Sequence, residues 1–335
     1  MDTKQRIRKY LTNHPSASGA ELRRYLNISR QALNVHLRAL IASDEVIKAG
    51  STRASRYSLA SRAPAPVSVS RDVPLPGLDE SKLYDELAVK LNLLSALRPN
   101  VEAIFRYAFT EMLNNAIEHS KAGRCRLRLR LGAGTVSFGV RDRGIGLFYS
   151  LASKLALPDE DAALVELIKG KTTTMAESHS GEGIFFTSRA ADRFVLRSHR
   201  IELEWDRSRN DVFVSQRRHL EGTDVSFFLR RDTRRVLENL FEKYAPEEYD
   251  FQFQKTEVLV RLLKTSYVSR SEAKRLLKNL EKFTEITMDF KRVKSIGQGF
   301  ADEVFRVFAR RHPHIKIYIE NASAPVDAML RHVAG

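Results

Sequence analysis

The chain has 335 residues, 43% of them hydrophobic and 29% charged, a composition typical of soluble globular proteins with two or three domains. No window approaches the roughly 18 uninterrupted apolar residues of a membrane span, and the N-terminal residues lack the apolar core of a signal peptide, so the sequence predicts neither a membrane partner nor secretion. The single cysteine, Cys125, predicts a reducing, cytoplasmic location. The net charge is +15, and residues 1–63 carry twelve Lys and Arg against four acidic residues, which indicates a polyanionic partner.

The N-terminal 60 residues predict three short helices followed by a hairpin of two strands. Apolar residues three and four apart mark helices over 3–13, 19–27 and 30–45, and serines that can cap a helix stand before the second and third. The apolar positions expected to face the core are Ile7, Tyr10, Leu11, Leu22, Tyr25, Leu26, Leu33, Val35, Leu37 and Leu40. Residues 45–59 follow as a basic hairpin with a Gly-Ser turn.

This order of elements resembles the winged helix-turn-helix family, which implies a DNA-binding domain over residues 1–60 with double-stranded DNA as its partner. By this resemblance the third helix is the recognition helix and the hairpin is the wing. The side chains suited to base edges and phosphates are Arg30, Gln31, Asn34 and Arg38 on the helix and Lys48, Arg53 and Arg56 on the hairpin. A small helical domain with solvated charges, or a winged helix that binds protein, remains an alternative.

The composition changes after this N-terminal region. Four prolines and the absence of helical periodicity predict an extended linker over residues 61–78. A second boundary is expected near residues 243–250. These two boundaries leave a central domain over 79–235 and a C-terminal domain over 245–335.

The long helix predicted over residues 100–123 places a carboxylate and an amide on one face. Glu111 and Asn115 are four residues apart and therefore neighbours on the helix surface. On a core-facing side both groups need polar partners, which a divalent cation and a polarised water would supply. Asn115 suits Mg²⁺ as a hard-oxygen ligand, and Glu111 is placed to accept a proton from an attacking water.

Two further runs combine polar residues with glycines. Two alternating strands are predicted after the long helix, and the second ends in Asp142-Arg-Gly144-Ile-Gly146. A carboxylate at a strand end can accept a hydrogen bond from the exocyclic amine of adenine, and the glycines allow the backbone to approach the ring. The later run Ser180-Gly181-Glu-Gly183 opens a helix with glycines, where phosphate oxygens bind readily.

The three runs, in this order, resemble the Bergerat ATP-binding fold of gyrase, histidine kinases and MutL, over residues 79–232. The resemblance implies ATP and Mg²⁺ as cofactors, with Glu111 as the water-activating base and Asn115 as the Mg²⁺ ligand. The further contacts that it implies are Asp142, Gly144, Gly146 and Thr223 with adenine, the last through water, and Gly181 and Gly183 with the phosphates. Residues 170–180 would form the ATP lid, and Lys169, just before the lid, and Lys171, within it, either reach phosphates or remain solvated.

Residues 250–335 alternate between strand and helix, which predicts a small α/β layer. The run from Glu285 to Phe305 resembles the STAS fold of anti-sigma-factor antagonists, and more closely a STAS-like domain attached to Bergerat ATPases. Phosphorylated STAS proteins carry a serine just before the following helix. Here Gln298 occupies that place and Ser295 lies three residues earlier, so the phosphate acceptor is missing. The favoured expectation is a dimerisation or packing module.

The expected fold class is multidomain α/β and α+β, comprising a winged helix-turn-helix, a Bergerat α/β sandwich and a STAS-like α/β layer domain. The favoured function is a transcriptional regulator that binds DNA and binds, or slowly hydrolyses, ATP. Its expected partners are DNA, a second copy in a homodimer, and a protein partner through the STAS-like domain. The alternative is a serine protein kinase of the anti-sigma type that acts on a separate STAS-domain partner. A DNA-remodelling ATPase is less favoured, because nothing resembles a transducer or cleavage domain.

Overall fold

The computed structural model describes residues 2–43, 45–49, 55–60, 66–170, 182–250, 252–262 and 266–334. The chain divides into two compact units. The first comprises Met1–Gly144 and Ala190–Val236, and the second comprises Ile145–Arg189 and Leu237–Gly335. Among the helices that these residues form, none has the length and hydropathy that crossing a membrane requires.

The N-terminal part of the first unit contains three helices and a three-stranded antiparallel sheet. Its elements are α1 (Thr3–Asn13), β1 (Ala17–Ser18), α2 (Gly19–Leu26), α3 (Arg30–Ala42), β2 (Val46–Ala49) and β3 (Arg56–Leu59). The strands lie in the order β1-β3-β2. Ser18 and Ser29 cap α2 and α3 by accepting hydrogen bonds from backbone N–H groups three residues later. The three predicted helices and the hairpin are confirmed, although α3 ends three residues earlier than expected.

Two positions that the sequence predicted to face the N-terminal core are exposed. Leu33, Leu37 and Leu40 form the buried stripe of α3, whereas Val35 is 65% exposed. Two residues correspond to about 200° around a helix, so Val35 lies on the face opposite this stripe. Tyr25 is also exposed, and its ring rests against Tyr10 at the surface with a centroid separation of 4.6 Å.

A five-stranded antiparallel sheet with three helices forms the rest of the first unit. The elements are β4 (Val67–Pro74), α4 (Glu80–Lys90), α5 (Leu93–Ala96), α6 (Pro99–His119), β5 (Arg124–Leu131), β6 (Thr135–Asp142), β7 (Arg193–Asp206) and β8 (Asp211–Arg230). The strand order is β4-β5-β6-β8-β7. The order brings the end of β6 next to the middle of β8, where Arg141 pairs with Asp224.

Strand β4 lies within the segment that was expected to be an extended linker, so that prediction was wrong for residues 67–74. The valines at 67, 69 and 73 have the alternation of a strand, and β4 pairs with β5 along its full length. Pro74 is tolerated because β4 is an edge strand and proline stands at its end. Residues 61–65 of the predicted linker lie outside the described residues.

Aromatic rings fill the space between the sheet and α6. The ring of Phe138 on β6 stacks on Phe227 of β8 at 5.0 Å, and Phe105 and Phe109 of α6 each meet Phe138 edge-on at 5.5 Å. On β5, inward residues alternate with exposed arginines. Cys125 is one of the inward residues, and burial raises the pKa of its thiol to about 12.

The second unit contains helices from the middle of the chain and a C-terminal α/β layer. Its helices and strands are α7 (Leu147–Lys154), α8 (Glu160–Lys169), α9 (Gly183–Ala190), α10 (Leu237–Tyr244), β9 (Lys255–Leu259), β10 (Ser266–Tyr267), α11 (Arg270–Leu277), β11 (Glu285–Asp289), β12 (Ser295–Ile296), α12 (Gln298–Asp302), α13 (Ala309–Arg311), β13 (Lys316–Glu320) and α14 (Ala324–Ala334). A π-helical segment, Glu303–Phe308, connects α12 to α13. Strands β9, β11 and β13 form a parallel sheet in the order β13-β11-β9, which confirms the predicted strand–helix alternation.

Candidate nucleotide-binding site

A carboxylate at the end of β6 is buried. Asp142 is 4% exposed, and its Oδ1 accepts hydrogen bonds from the backbone N–H groups of Gly144 at 2.8 Å and Thr223 at 3.3 Å. Burial raises the pKa of this carboxyl group, and the two N–H donors oppose that rise. No described residue donates to the other carboxylate oxygen, Oδ2. The two hydrogen bonds to Oδ1 therefore hold the Asp142 carboxylate in a fixed orientation and leave Oδ2 as the oxygen that can accept from a ligand.

Two glycines allow the backbone to close around Asp142. A Cβ atom on Gly144 would overlap the carbonyl oxygen of Ser120. Gly222 has φ +79°, and a Cβ there would lie 2.5 Å from the Asp142 carbonyl oxygen and 2.7 Å from its Oδ1. Gly144 was predicted from the sequence, whereas Gly222 and Ser120 were not. The signal for Gly222 was a glycine interrupting a strand pattern just before Thr223, which indicates close backbone approach.

Glu111 and Asn115 lie on α6, and both are half-buried. The side-chain Nδ2 of Asn115 donates to the backbone oxygen of Glu111 at 2.9 Å, which leaves the amide oxygen as the end that can bind a cation. The residues that the structure describes contain no group of three or more His, Cys, Asp or Glu side chains suited to a metal. An Mg²⁺ ion that takes one protein oxygen and completes its shell with water and phosphate fits this arrangement.

Gly146 and Gly183, two of the glycines predicted to contact the nucleotide, belong to the second unit. Gly146 has φ +80° and directly precedes α7, and Gly183 is the first residue of α9. Gly181 and Lys171 lie outside the described residues. The predicted roles of all four in nucleotide binding remain predictions.

Lys169, which the sequence suggested would reach phosphate or remain solvated, does neither. Its Nζ donates to Glu166 Oε1 at 2.8 Å and to the Lys278 carbonyl oxygen at 2.7 Å. The other Glu166 oxygen accepts from Asn279, and the Lys169 carbonyl oxygen accepts from Thr256. Burial lowers the pKa of Lys169, and the charge of Glu166 opposes this. These contacts were not predictable from local patterns, because all the partners except Glu166 lie 87 to 113 residues away along the chain.

The next residue, Gly170, closes the end of α8. It has φ +77°, and a Cβ there would lie 2.6 Å from the ring of Phe253. A side chain at this position would therefore be strained in its backbone and blocked by an aromatic ring.

The candidate DNA-contacting residues of α3 are distributed over its outer surface. Arg30, Gln31 and Arg38 are exposed, and Asn34 is half-buried. Arg38 Nη1 lies 3.5 Å from the carbonyl oxygen of Ser208, which follows β7 in the same unit. The recognition-helix candidates therefore lie at the surface, with one arginine directed to a turn of the large sheet.

The candidates on the hairpin differ from one another in their surroundings. Lys48 lines a cavity of about 250 Å³ together with Arg98, Arg230 and Arg231. Arg56 instead donates to the hydroxyl of its neighbour Ser16 at 2.8 Å. Arg53 lies outside the described residues. Of the two described residues, Lys48 is the one that joins a group of basic side chains.

The antiparallel sheet with helices on one face and the parallel C-terminal layer define a mixed α/β multidomain protein. Residues 88–204 match the model of the histidine kinase-like ATPase domain. Residues 272–327 match the model of a STAS-like domain of unknown function. The chain therefore contains a histidine kinase-like ATPase domain, which suggests nucleotide binding or hydrolysis, and a C-terminal STAS-like domain. No curated protein matches the chain.

Replacing Gly222 by alanine is expected to destabilise the first unit because it combines backbone strain with a collision against Asp142. The matched control is Gly77→Ala, at φ +72° with open space around the added Cβ. The control should lose about 1 kcal/mol of unfolding free energy. Gly222→Ala should lose about 2–4 kcal/mol, since overpacking adds to the strain. Urea unfolding measures both losses, and equal losses would contradict the close approach.

Asp142→Asn is expected to stabilise the nucleotide-free protein at neutral pH. Because burial raises the pKa of Asp142 in the folded protein, the folded state is favoured when this carboxyl group is protonated. This contribution to the free energy of unfolding is complete below the ordinary pKa of an aspartate and is lost as the pH rises through the folded-state pKa. An asparagine side chain does not ionise, so the variant does not lose this stability as the pH rises. The gain in unfolding free energy should be present at pH 7 and shrink as the pH falls toward 4. The control is Asp72→Asn, an exposed carboxylate paired with Arg124, which should show no gain.

Proposed function

We propose that this protein is an ATP-binding, slowly hydrolysing, DNA-binding transcriptional regulator whose nucleotide state controls its conformation or dimerisation. The observation that carries the proposal is the buried carboxylate of Asp142, oriented by two backbone N–H groups with one oxygen left over. The match of residues 88–204 to a histidine kinase-like ATPase domain supports the nucleotide as the ligand class.

Adenine is the base that suits Asp142. A carboxylate oxygen accepts a hydrogen bond from the exocyclic amine of adenine, whereas guanine has a carbonyl oxygen at that position and would be repelled. Gly144 and Gly222 bring backbone close to the same carboxylate, which fixes the acceptor before the base arrives. A preformed acceptor costs little to organise on binding. We infer that ATP rather than GTP is bound, with Thr223 supporting the base through water.

Hydrolysis would depend on α6. Glu111 is the proposed base for the attacking water, and the amide oxygen of Asn115 is the proposed protein ligand of Mg²⁺. Both side chains are half-buried one helical turn apart, which suits a site that must hold water and a cation together. The bound Mg²⁺ would neutralise phosphate charge. The proposed base also gives the regulator a way to return from its ATP state to its ADP state.

The N-terminal part of the first unit is the proposed DNA-binding domain. Three helices and a β1-β3-β2 sheet, with α3 bounded by a serine cap and followed by a hairpin, support a winged helix-turn-helix assignment. Arg30 and Arg38 are exposed on α3, and the region carries a strong positive charge. Phosphate contacts from such residues give affinity, while side chains of α3 would read bases.

A serine kinase of the anti-sigma type is the second candidate, favoured by the presence of a STAS-like domain in the same chain. Gln298, the first residue of α12, occupies the place of the STAS phosphate acceptor and has no hydroxyl group. The acceptor would therefore belong to a separate protein. Transfer of labelled γ-phosphate to a protein would favour this candidate, and release of inorganic phosphate alone would favour the regulator.

Variants of Asp142 and Glu111 should separate nucleotide binding from hydrolysis. Asp142→Asn is expected to weaken ATP binding by about 10- to 100-fold, because a hydrogen bond to a charged acceptor contributes about 1.5–3 kcal/mol. Glu111→Ala should keep ATP affinity and lose turnover. Calorimetric titration and phosphate release measure the two effects. An Asp142→Asn protein with unchanged ATP affinity would remove the adenine assignment.

DNA binding should depend on the α3 arginines and on nucleotide. Arg30→Ala and Arg38→Ala are each expected to weaken DNA binding and to lower the salt slope by about one, the loss expected for one phosphate contact. Arg331→Ala removes the same charge from α14, far along the chain, and should leave binding unchanged. Fluorescence anisotropy at several salt concentrations, with and without ATP, measures these effects. The coupling idea fails if saturating ATP changes neither affinity nor footprint.

A further inference from the structure

Strand β13 is the edge of the parallel sheet in the second unit, next to β11. Within the described residues, no strand pairs with its outer side. Edge strands with free N–H and C=O groups are templates for pairing with another chain, and proteins commonly shorten, charge or cover them. β13 is five residues long, Lys316–Glu320, and carries charge only at its two ends.

The hydrogen bonds of β13 to β11 determine which backbone groups face outward. The N–H of Lys316 donates to the Thr284 carbonyl oxygen, and the Glu320 carbonyl oxygen accepts from Phe290 N–H. In a parallel ladder, alternate residues direct both backbone groups to the same neighbour. Residues 316, 318 and 320 therefore face β11, and Ile317 and Ile319 present their N–H and C=O groups to the free edge.

The side chains of β13 are more exposed than those of its neighbour strand. Ile319 is paired in register with Met288 of β11, so both side chains point to the same face of the sheet. Met288 is 0% exposed, whereas Ile319 is 43% exposed and Tyr318, on the opposite face, is 47% exposed. Apolar surface thus continues onto both faces of the edge strand, where the sheet stops.

We propose that β13 pairs antiparallel with β13 of a second copy of this chain, about a two-fold axis at Tyr318. Ile317 of one copy then lies opposite Ile319 of the other, and these are the residues whose backbone groups face outward. Each such pair exchanges two hydrogen bonds, as in a hydrogen-bonded antiparallel pair. The two three-stranded sheets join into one sheet of six strands, and neither copy keeps a free edge at β13.

Charge complementarity selects this register. Lys316 of one copy lies opposite Glu320 of the other, twice, by symmetry. Neither residue forms an ion pair with another described residue. A two-fold axis at Ile317 would instead place Lys316 opposite Tyr318, and an axis at Ile319 would place Glu320 opposite Tyr318. Only the axis at Tyr318 brings opposite charges together and keeps Ile317 opposite Ile319.

The proposal rests on the second unit alone and is independent of ATP and DNA binding. Its failure would leave the nucleotide assignment untouched, and loss of ATP or DNA binding would leave the edge pairing untouched. A two-fold assembly would also present two copies of the N-terminal domain, which suits a DNA site with two half-sites.

A cysteine at the two-fold axis provides the first test. In the proposed pair Tyr318 lies directly opposite its counterpart at a non-hydrogen-bonded position, where Cα atoms are about 4.5 Å apart, within disulfide range. Tyr318→Cys should therefore form a covalent dimer under mild oxidation of the full chain. Val268→Cys, also exposed in the second unit, should not. The native Cys125 is buried and unreactive, so the background is low.

Charge reversal provides the second test. Lys316→Glu places like charges opposite each other at both ends and should weaken dimerisation by about tenfold or more. Lys316→Glu combined with Glu320→Lys restores opposite charges and should restore the dimer. Sedimentation velocity measures the association, and circular dichroism checks that each variant is folded. A wild-type monomer at all concentrations, equal crosslinking at both cysteines, or a dimer insensitive to Lys316→Glu would overturn the proposal.

Discussion

The buried carboxylate of Asp142 is the constraint around which the first unit is arranged. Placing an ionisable group at 4% exposure is unfavourable unless donors surround it, and the donors here are backbone N–H groups from two segments far apart in sequence. The antiparallel pairing of β6 with β8 brings these segments together, and Gly144 and Gly222 let them approach. The sheet order, the glycines and the carboxylate are thus parts of one arrangement.

Local patterns predicted most of the elements, and the failures have two physical causes. Helix α6, the strand ending at Asp142 and the three N-terminal helices were predictable because each depends on nearby residues. The need for glycine at 222 and the burial of Lys169 were missed because the atoms that contact these residues come from distant parts of the chain. Strand β4 was missed because the four prolines of residues 61–78 outweighed the alternation of its valines, although an edge strand tolerates a proline at its end.

The division into units does not follow the ranges of the domain models. Residues 145–189 lie inside the range matched by the ATPase model, yet they form one compact unit with the STAS-like region. A boundary near residue 245 therefore separates α8 and α9 from C-terminal residues that they contact. Within this unit the rings of Phe185 and Phe253 are 4.5 Å apart, which shows how closely the two regions share a core.

The buried pair of Lys169 and Glu166 lies where α8 contacts the C-terminal region. It fastens the end of α8 to Thr256 and Asn279 in the C-terminal region, immediately before residues 171–181. Removing one partner of a buried ion pair typically costs about 3–5 kcal/mol of stability, so the contact between α8 and the C-terminal region is strong. A ligand that displaced α8 would have to move or break these contacts, and by thermodynamic reciprocity a ligand that strengthened the contacts would oppose that displacement to the same extent.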